Sequence, residues 1–380
     1  MEIISYSEDH RIFRDSARKF YAKEVIPYVD DWEEAGIVPR SIWKKMGDNG
    51  FLCMQVPEEY GGLEADFLYS VILMEELAAT NHFGLAAYLH SDIVIPYITS
   101  FASEELKHKY LPGCISGDII TAIAMTEPNA GSDLAGMRTT AVENGDDVVI
   151  NGQKTFISNG ILCDLVVLAV RDPAVNDPHK AMDLYLVEAG TPGFEKGKKI
   201  KKIGWHSQDT AELFFNDCRV PKTNRLGQKG SGFLMLMQKL QQERLMCCVG
   251  AQALAERVLQ NTIEYCKQRT AFGKPISKLQ NTQFRIVEMA TEVKLGRTFL
   301  DKLTVDHIEN KNVVVEVSMA KYWITDMAKR VADGCLQLYG GYGYCEEYPV
   351  ARAWRDIRVM SIFAGTNEIM KGIAAKFMGL

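Results

Sequence analysis

The chain has 380 residues, 47% of them hydrophobic and 24% charged, with a formal net charge of −6 and a pI near 5.8. That length and composition point to two or three globular domains with a large core and exclude a low-complexity protein. The acidic balance, without a long basic stripe, argues against nucleic acid as a main partner, and no apolar run approaches the roughly 20 residues of a membrane span.

The first residues, Met1 to Ser5, show no basic segment followed by an apolar stretch, so no signal peptide is expected. The nine cysteines are scattered, with no C-x-x-C and no metal-ligand spacing, which predicts free thiols in a reducing compartment and no metal site. A bacterial cytoplasmic protein fits, and a processed mitochondrial form would look the same.

Residues 1–120 read as a helical domain. Ser7 is placed to cap a helix whose first turn holds Glu8 and Asp9, with Ile12, Phe13, Ala17 and Phe20 on its apolar face. Pro39 and Ser41 open a second helix through Trp43 and Met46, ending near Asn49-Gly50. A third runs from about Asp66 to Ala79. Ala86 to Phe101 follows and contains His90, Ser91 and Asp92. Ser103-Glu104-Glu105 starts a short helix expected to end before Pro112.

The pattern then breaks at Thr126-Glu127-Pro128-Asn129-Ala130-Gly131-Ser132-Asp133. Pro128 fixes a turn, and Asn129 and Gly131 tolerate positive φ. Inward-facing N–H groups and the hydroxyls of Thr126 and Ser132 would hold the electron-rich edge of a planar cofactor. Taken alone, the loop serves equally well as a connector between a helical and a β domain.

Residues 121–229 read as a β domain. Asp147 to Phe156 is predicted to form a hairpin-like pair around Asn151-Gly152. Leu165 to Val170, Met182 to Val187 and Ala211 to Phe215 are further strands, and the basic run Lys196 to Lys202 is expected to be a solvated loop. Without strand–helix alternation, a small antiparallel barrel or sandwich is favoured over a doubly wound sheet. In residues 230–380 the helical period returns, with Phe233 to Lys267, Thr282 to Ile308 and Val313 to Leu338 each longer than an average globular helix. Apolar on more than one face, they predict a bundle that also packs on other subunits.

The usual nucleotide and hydrolase signatures G-x-G-x-x-G, G-x-x-x-x-G-K-[ST] and G-x-S-x-G are missing. His82 and His90 are too isolated for a metal site and are read as satisfied or solvent-facing. Four other segments occur in register: Ile123–Asp133; Phe156-Ile157-Ser158-Asn159-Gly160; Arg269-Thr270-Ala271-Phe272-Gly273-Lys274 with Gln280; and Gln337-Leu338-Tyr339-Gly340-Gly341-Tyr342-Gly343 followed by Ile362-Phe363-Ala364-Gly365-Thr366-Asn367-Glu368-Ile369. Together they resemble the acyl-CoA dehydrogenases, flavoenzymes that desaturate acyl-CoA thioesters between the α and β carbons. The likeness covers essentially the whole chain.

The resemblance implies an α+β fold with an N-terminal helical domain, a central antiparallel β domain and a C-terminal four-helix bundle, assembled as a homotetramer. It implies FAD as cofactor and an electron-transfer flavoprotein as partner. By motif match, Ile123, Ala124, Met125, Thr126 and Ser132, with Phe156, Ile157 and Ser158, line the flavin. Arg269, Gln280, Gln337, Gly340 and Gly341 meet the adenine and pyrophosphate side, partly from a neighbouring subunit, and Thr366 and Glu368 close over the cofactor. An arginine fork suits pyrophosphate, and Gly340-Gly341 allows close backbone approach. The same glycines otherwise read as a helix C-cap.

Removing a thioester α-proton needs a carboxylate base and donors on the carbonyl oxygen. One branch of the family carries its base immediately before the Gly-Thr of the last motif. Here that position is Ala364, which takes no proton. Another branch, which includes long-chain and isovaleryl enzymes, places a glutamate on a long helix in a sequence similar to Gln241-Gln242-Glu243-Arg244-Leu245. This assigns Glu243 as base, with Arg244, Ser132 and Gly365 toward the CoA thioester. By the same likeness, the carbonyl oxygen would meet the N–H of Ala364 and a flavin ribityl hydroxyl. Asp92 borders the acyl pocket by resemblance. It reads either as an interhelical hydrogen bond or as a group for an alicyclic or dicarboxylic acyl end. An acyl-CoA oxidase reducing O₂ is the near alternative, and a colourless helical scaffold the distant one. Acyl length and branching stay open.

Overall fold

The computed structural model describes residues 3–380. Six helices come first: α1 (Glu8–Glu24), α2 (Val29–Ala35), α3 (Arg40–Asp48), α4 (Phe67–Ala79), α5 (Ile95–Phe101) and α6 (Glu104–Ile115). Ser7 closes a reciprocal cap on α1, its hydroxyl accepting from the His10 N–H while the His10 ring accepts from the Ser7 N–H. Asp66 caps α4 through the Leu68 N–H. Leu89–Val94 winds as a π-helix directly into α5, a local widening that recurs at functional sites.

α6 does not stop before Pro112 but runs through it to Ile115. Proline removes one helical hydrogen bond, yet Leu111 and Cys114 on this helix are fully buried. Beyond the proline, the Ser116 N–H donates to the Pro112 carbonyl and the Ser116 hydroxyl to Gly113. Burial and a re-formed final turn outweigh the lost bond.

The β unit comprises β1 (Thr121–Ala124), β2 (Thr140–Asn144), β3 (Asp147–Ile157), β4 (Leu165–Arg171), β5 (Met182–Glu188), β6 (Phe194–Lys199), β7 (Ala211–Pro221) and β8 (Arg225–Leu226). They form one sheet in the order β6-β7-β3-β2-β4-β5-β8, with β1 also on β4. Most pairs are antiparallel, but β1–β4 and β2–β4 are parallel, so the sheet is mixed.

The expected hairpin at Asn151-Gly152 is instead one continuous strand, β3. The hairpin lies earlier, pairing β2 with β3. Gly152, at φ +151, occupies a bulge against β7, and a Cβ there would lie 2.5 Å from the Thr139 hydroxyl. The Asn-Gly pair therefore serves close strand approach rather than chain reversal. Part of the basic run is also tied down: Lys196 donates to the carbonyls of Ile161 and Cys163, and Lys202 to that of Gln208.

The last part is helical: α7 (Gly232–Gln268), α8 (Gln280–Ile308), α9 (Val314–Tyr339), α10 (Pro349–Ile357) and α11 (Asn367–Phe377). α7 packs on α9 and α8 within this part and on α4 of the first. Its middle, Leu245 to Ala255, is almost wholly buried. This apolar girdle presses α7 against all its neighbours and so fixes whatever side chains α7 carries at the junction. Among the described residues no helix is long and apolar enough to cross a membrane.

Candidate active site

A cavity of about 160 Å³ opens where α4, the π-helical segment, α7, β1, the end of β3 and the turn before α11 meet. Its walls include Met74, Phe83, Tyr88 and Leu89 on one side and Ile123, Met125, Thr126, Phe156, Ile157 and Ser158 on another; Glu243, Cys247 and Gly250 face it from α7, and Ala364 closes it. Residues 243, 247 and 250 are spaced i, i+4, i+7, one face of a helix.

Glu243 is 5% exposed. Its carboxylate accepts one hydrogen bond, from the Tyr97 hydroxyl at 2.7 Å. Burial pushes its pKa up to about 7, opposed by the Tyr97 bond and the Arg244 charge. Arg244 is itself buried, its guanidinium pKa lowered by desolvation, and its Nε has no partner among the described residues. A buried arginine without a fixed acceptor keeps donors free for an anionic or carbonyl group.

Opposite, Ala364 (φ 52) and Gly365 (φ 88) are consecutive left-handed residues. Such a conformation is costly for alanine, of order 1–3 kcal/mol. Among the described residues, the N–H groups of Ala364, Gly365 and Thr366 have no acceptor. Thr366 caps α11 through the Ile369 N–H, and the exposed Glu368 lies in that first turn.

On the β side, Glu127 and Ala130 exchange backbone hydrogen bonds, which tightens the loop. The N–H groups of Thr126, Ser132 and Ser158 are left without acceptors among the described residues. The loop is held from beneath by Lys154, fully buried, which donates to a Glu127 carboxylate oxygen at 2.7 Å and to the Met125 carbonyl at 3.1 Å. Phe156 takes φ +58 and remains 64% exposed. An aromatic ring in strained backbone, beside free N–H donors and apolar walls, fits a planar, acceptor-edged ring system such as a flavin.

The structure does not gather every sequence-marked residue here. Ala124 faces the β core, and Ser132 sits exposed on the loop. Asp92 does not line the cavity. Its carboxylate accepts from Ser70 at 2.6 Å and Gln55 at 3.3 Å, and burial raises its pKa to about 6. Arg269, Gln337, Gly340 and Gly341 line a different, open groove at the far end of α7, about 37 Å along the helix from Glu243 at 1.5 Å per residue. There Arg269 stacks over Tyr342. Gln280 opens α8 nearby, and Gly340, at φ +62, ends α9 with open space where a Cβ would be. His82 and His90 are both buried and bonded, to Ser207 and to Thr121 and the Cys114 carbonyl.

Tyr97, Lys154 and Trp205, the last a further wall of the cavity, were not marked by the sequence. Tyr97 meets Glu243 across 146 residues, and nothing local marks it. Lys154 carried a usable signal, a lysine two residues before the Phe156 motif.

The chain matches three family models: the acyl-CoA dehydrogenase N-terminal domain over residues 7–118, the middle domain over 122–218 and the C-terminal domain over 230–379. It is 45% identical to the mitochondrial long-chain specific acyl-CoA dehydrogenase of Rattus norvegicus, over 98% of this chain and 86% of that protein. A crystal structure of an acyl-CoA dehydrogenase from Geobacillus kaustophilus superposes with a TM-score of 0.97 at 56% identity, covering 99% of each chain. The FAD complex of PigA superposes with a TM-score of 0.94 at 28% identity, again over 99% of each.

Proposed function

Since the chain belongs to the acyl-CoA dehydrogenase family, we propose that it desaturates an acyl-CoA thioester with Glu243 as the α-proton base and passes the electrons to an electron-transfer flavoprotein. The enzyme is an FAD-dependent oxidoreductase acting on CH–CH groups. Bound FAD supplies the acceptor for the β-hydride. Glu243, held near pKa 7 by burial, is ionised in a useful fraction at neutral pH yet basic enough to take a proton from carbon. Tyr97 holds one of its oxygens and leaves the other for the substrate. The unpaired N–H of Ala364 receives the thioester oxygen, where negative charge develops. Apolar Met74, Phe83 and Leu89 accept the acyl chain and exclude water, and Arg244 faces the CoA side.

The single observation that carries this reading is a buried carboxylate facing an alanine, Ala364, across a cavity with flavin-compatible donors. In one chain the Arg269–Gly341 groove lies far from that cavity, so a second copy of the chain completes the cofactor site. Asp92, satisfied by Ser70 and Gln55, acts as an interhelical tie. Anaerobic titration of the purified holoenzyme with straight, branched, alicyclic and dicarboxylic acyl-CoAs tests the proposal. Flavin absorbance should bleach in the wild type and persist in Glu243→Gln with FAD content unchanged. Bleaching at the wild-type rate in Glu243→Gln would reject the base, and peroxide formation faster than reduction of an electron-transfer flavoprotein would make the enzyme an oxidase.

A further inference from the structure

Lys321 is fully buried in the first half of α9. Burying an ammonium group costs several kcal/mol unless strong acceptors meet it, and a methionine would fill the space without that cost. Its Nζ donates to the Gly365 carbonyl at 2.6 Å and to the Asn367 side-chain oxygen at 3.3 Å. Asn367 is in turn clamped to α9, donating to Thr325 and Asp326, each at 3.0 Å. One face of α9 therefore grips both ends of the Gly365–Asn367 segment.

That segment follows the strained residue that closes the cavity. In a trans peptide the C=O and N–H point in opposite directions. Fixing the Gly365 carbonyl on Lys321 therefore aims the Thr366 N–H off α9, and with Asn367 clamped the Ala364–Gly365 pair keeps its left-handed turn. We propose that Lys321 is a positioning residue for the reaction: by capturing the Gly365 carbonyl it holds the Ala364–Gly365 turn so that the acceptor-free Ala364 N–H stays on the thioester oxygen opposite Glu243. This rests on the acyl-CoA reading above. Without the lysine the turn relaxes from its left-handed geometry and the Ala364 N–H leaves the oxygen.

The test uses FAD-loaded enzyme and the chromophoric thioester 4-dimethylaminocinnamoyl-CoA, whose absorption moves to longer wavelength as its carbonyl accepts stronger hydrogen bonds. The wild type should shift the band on binding. Failure there would count against the acyl-CoA site itself, separately from Lys321. Lys321→Met should keep its FAD and bind the probe but lose most of the shift. Its kcat should fall about tenfold with KM little changed, less than the roughly 10²–10³-fold cost of deleting a donor outright. Should Lys321→Met not fold, Lys321→Arg keeps the charge while its longer fork displaces the Gly365 carbonyl, so its shift should also be smaller. A wild-type shift in either folded variant overturns the proposal, as does a kcat loss that merely tracks lost FAD.

Discussion

Tyr97→Phe removes one hydroxyl and leaves the ring in place. Among the described residues its hydrogen bond to Glu243 is the carboxylate's only one, and it stabilises the charged form. A hydrogen bond to a charged group contributes about 1.5–3 kcal/mol, and each pKa unit corresponds to 1.36 kcal/mol. Loss of the bond should therefore raise the Glu243 pKa from about 7 by about one to two units. The base must be ionised to act, so activity rises with pH through that pKa and the rising limb should move upward. The profile of kcat/KM, which reports the free enzyme, should show the change between pH 6 and about 9. Activity near neutrality falls, and at high pH it recovers toward the wild type. An unmoved limb, or one displaced to lower pH, would refute the assignment of Tyr97 as the donor that tunes the base.

Three further outcomes are expected. Glu243 is buried and its pKa is raised from 4.5 to about 7, so the folded state binds more protons than the unfolded between those values and stability from this group falls as pH rises. Glu243→Gln should accordingly raise Tm at pH 8, by up to about 3 kcal/mol in free energy, and lose that advantage near pH 4.5; a lower Tm at pH 8 would contradict the burial argument. Lys154→Met leaves the buried Glu127 carboxylate without its cation and should destabilise the fold by about 3–5 kcal/mol, with faster FAD release seen by fluorescence. A Cβ on Gly250 would meet Met74 at 3.2 Å and Phe83 at 3.4 Å, so Gly250→Val should shift kcat/KM toward shorter acyl chains in a substrate panel.

Much of this protein is legible in its sequence because the signals are local. A cap such as Ser7 needs only the next three residues, and a long helix such as α9 announces itself by period. The motif at Thr126–Asp133 is local too, and the resemblance to known family segments that assigned Glu243 over Ala364 needed only residues read along the chain. Where local reading failed, a tertiary contact outweighed a propensity: Pro112 stayed helical because Leu111 and Cys114 are buried, and Asn151-Gly152 became a bulge because Thr139 packs against it. Only the folded chain could bring Tyr97 to Glu243, Lys154 to Glu127 and Lys321 to the Gly365 carbonyl. It also directed Asp92 to Ser70 and Gln55. Such pairings depend on which helix faces meet, and that is decided by packing the whole core.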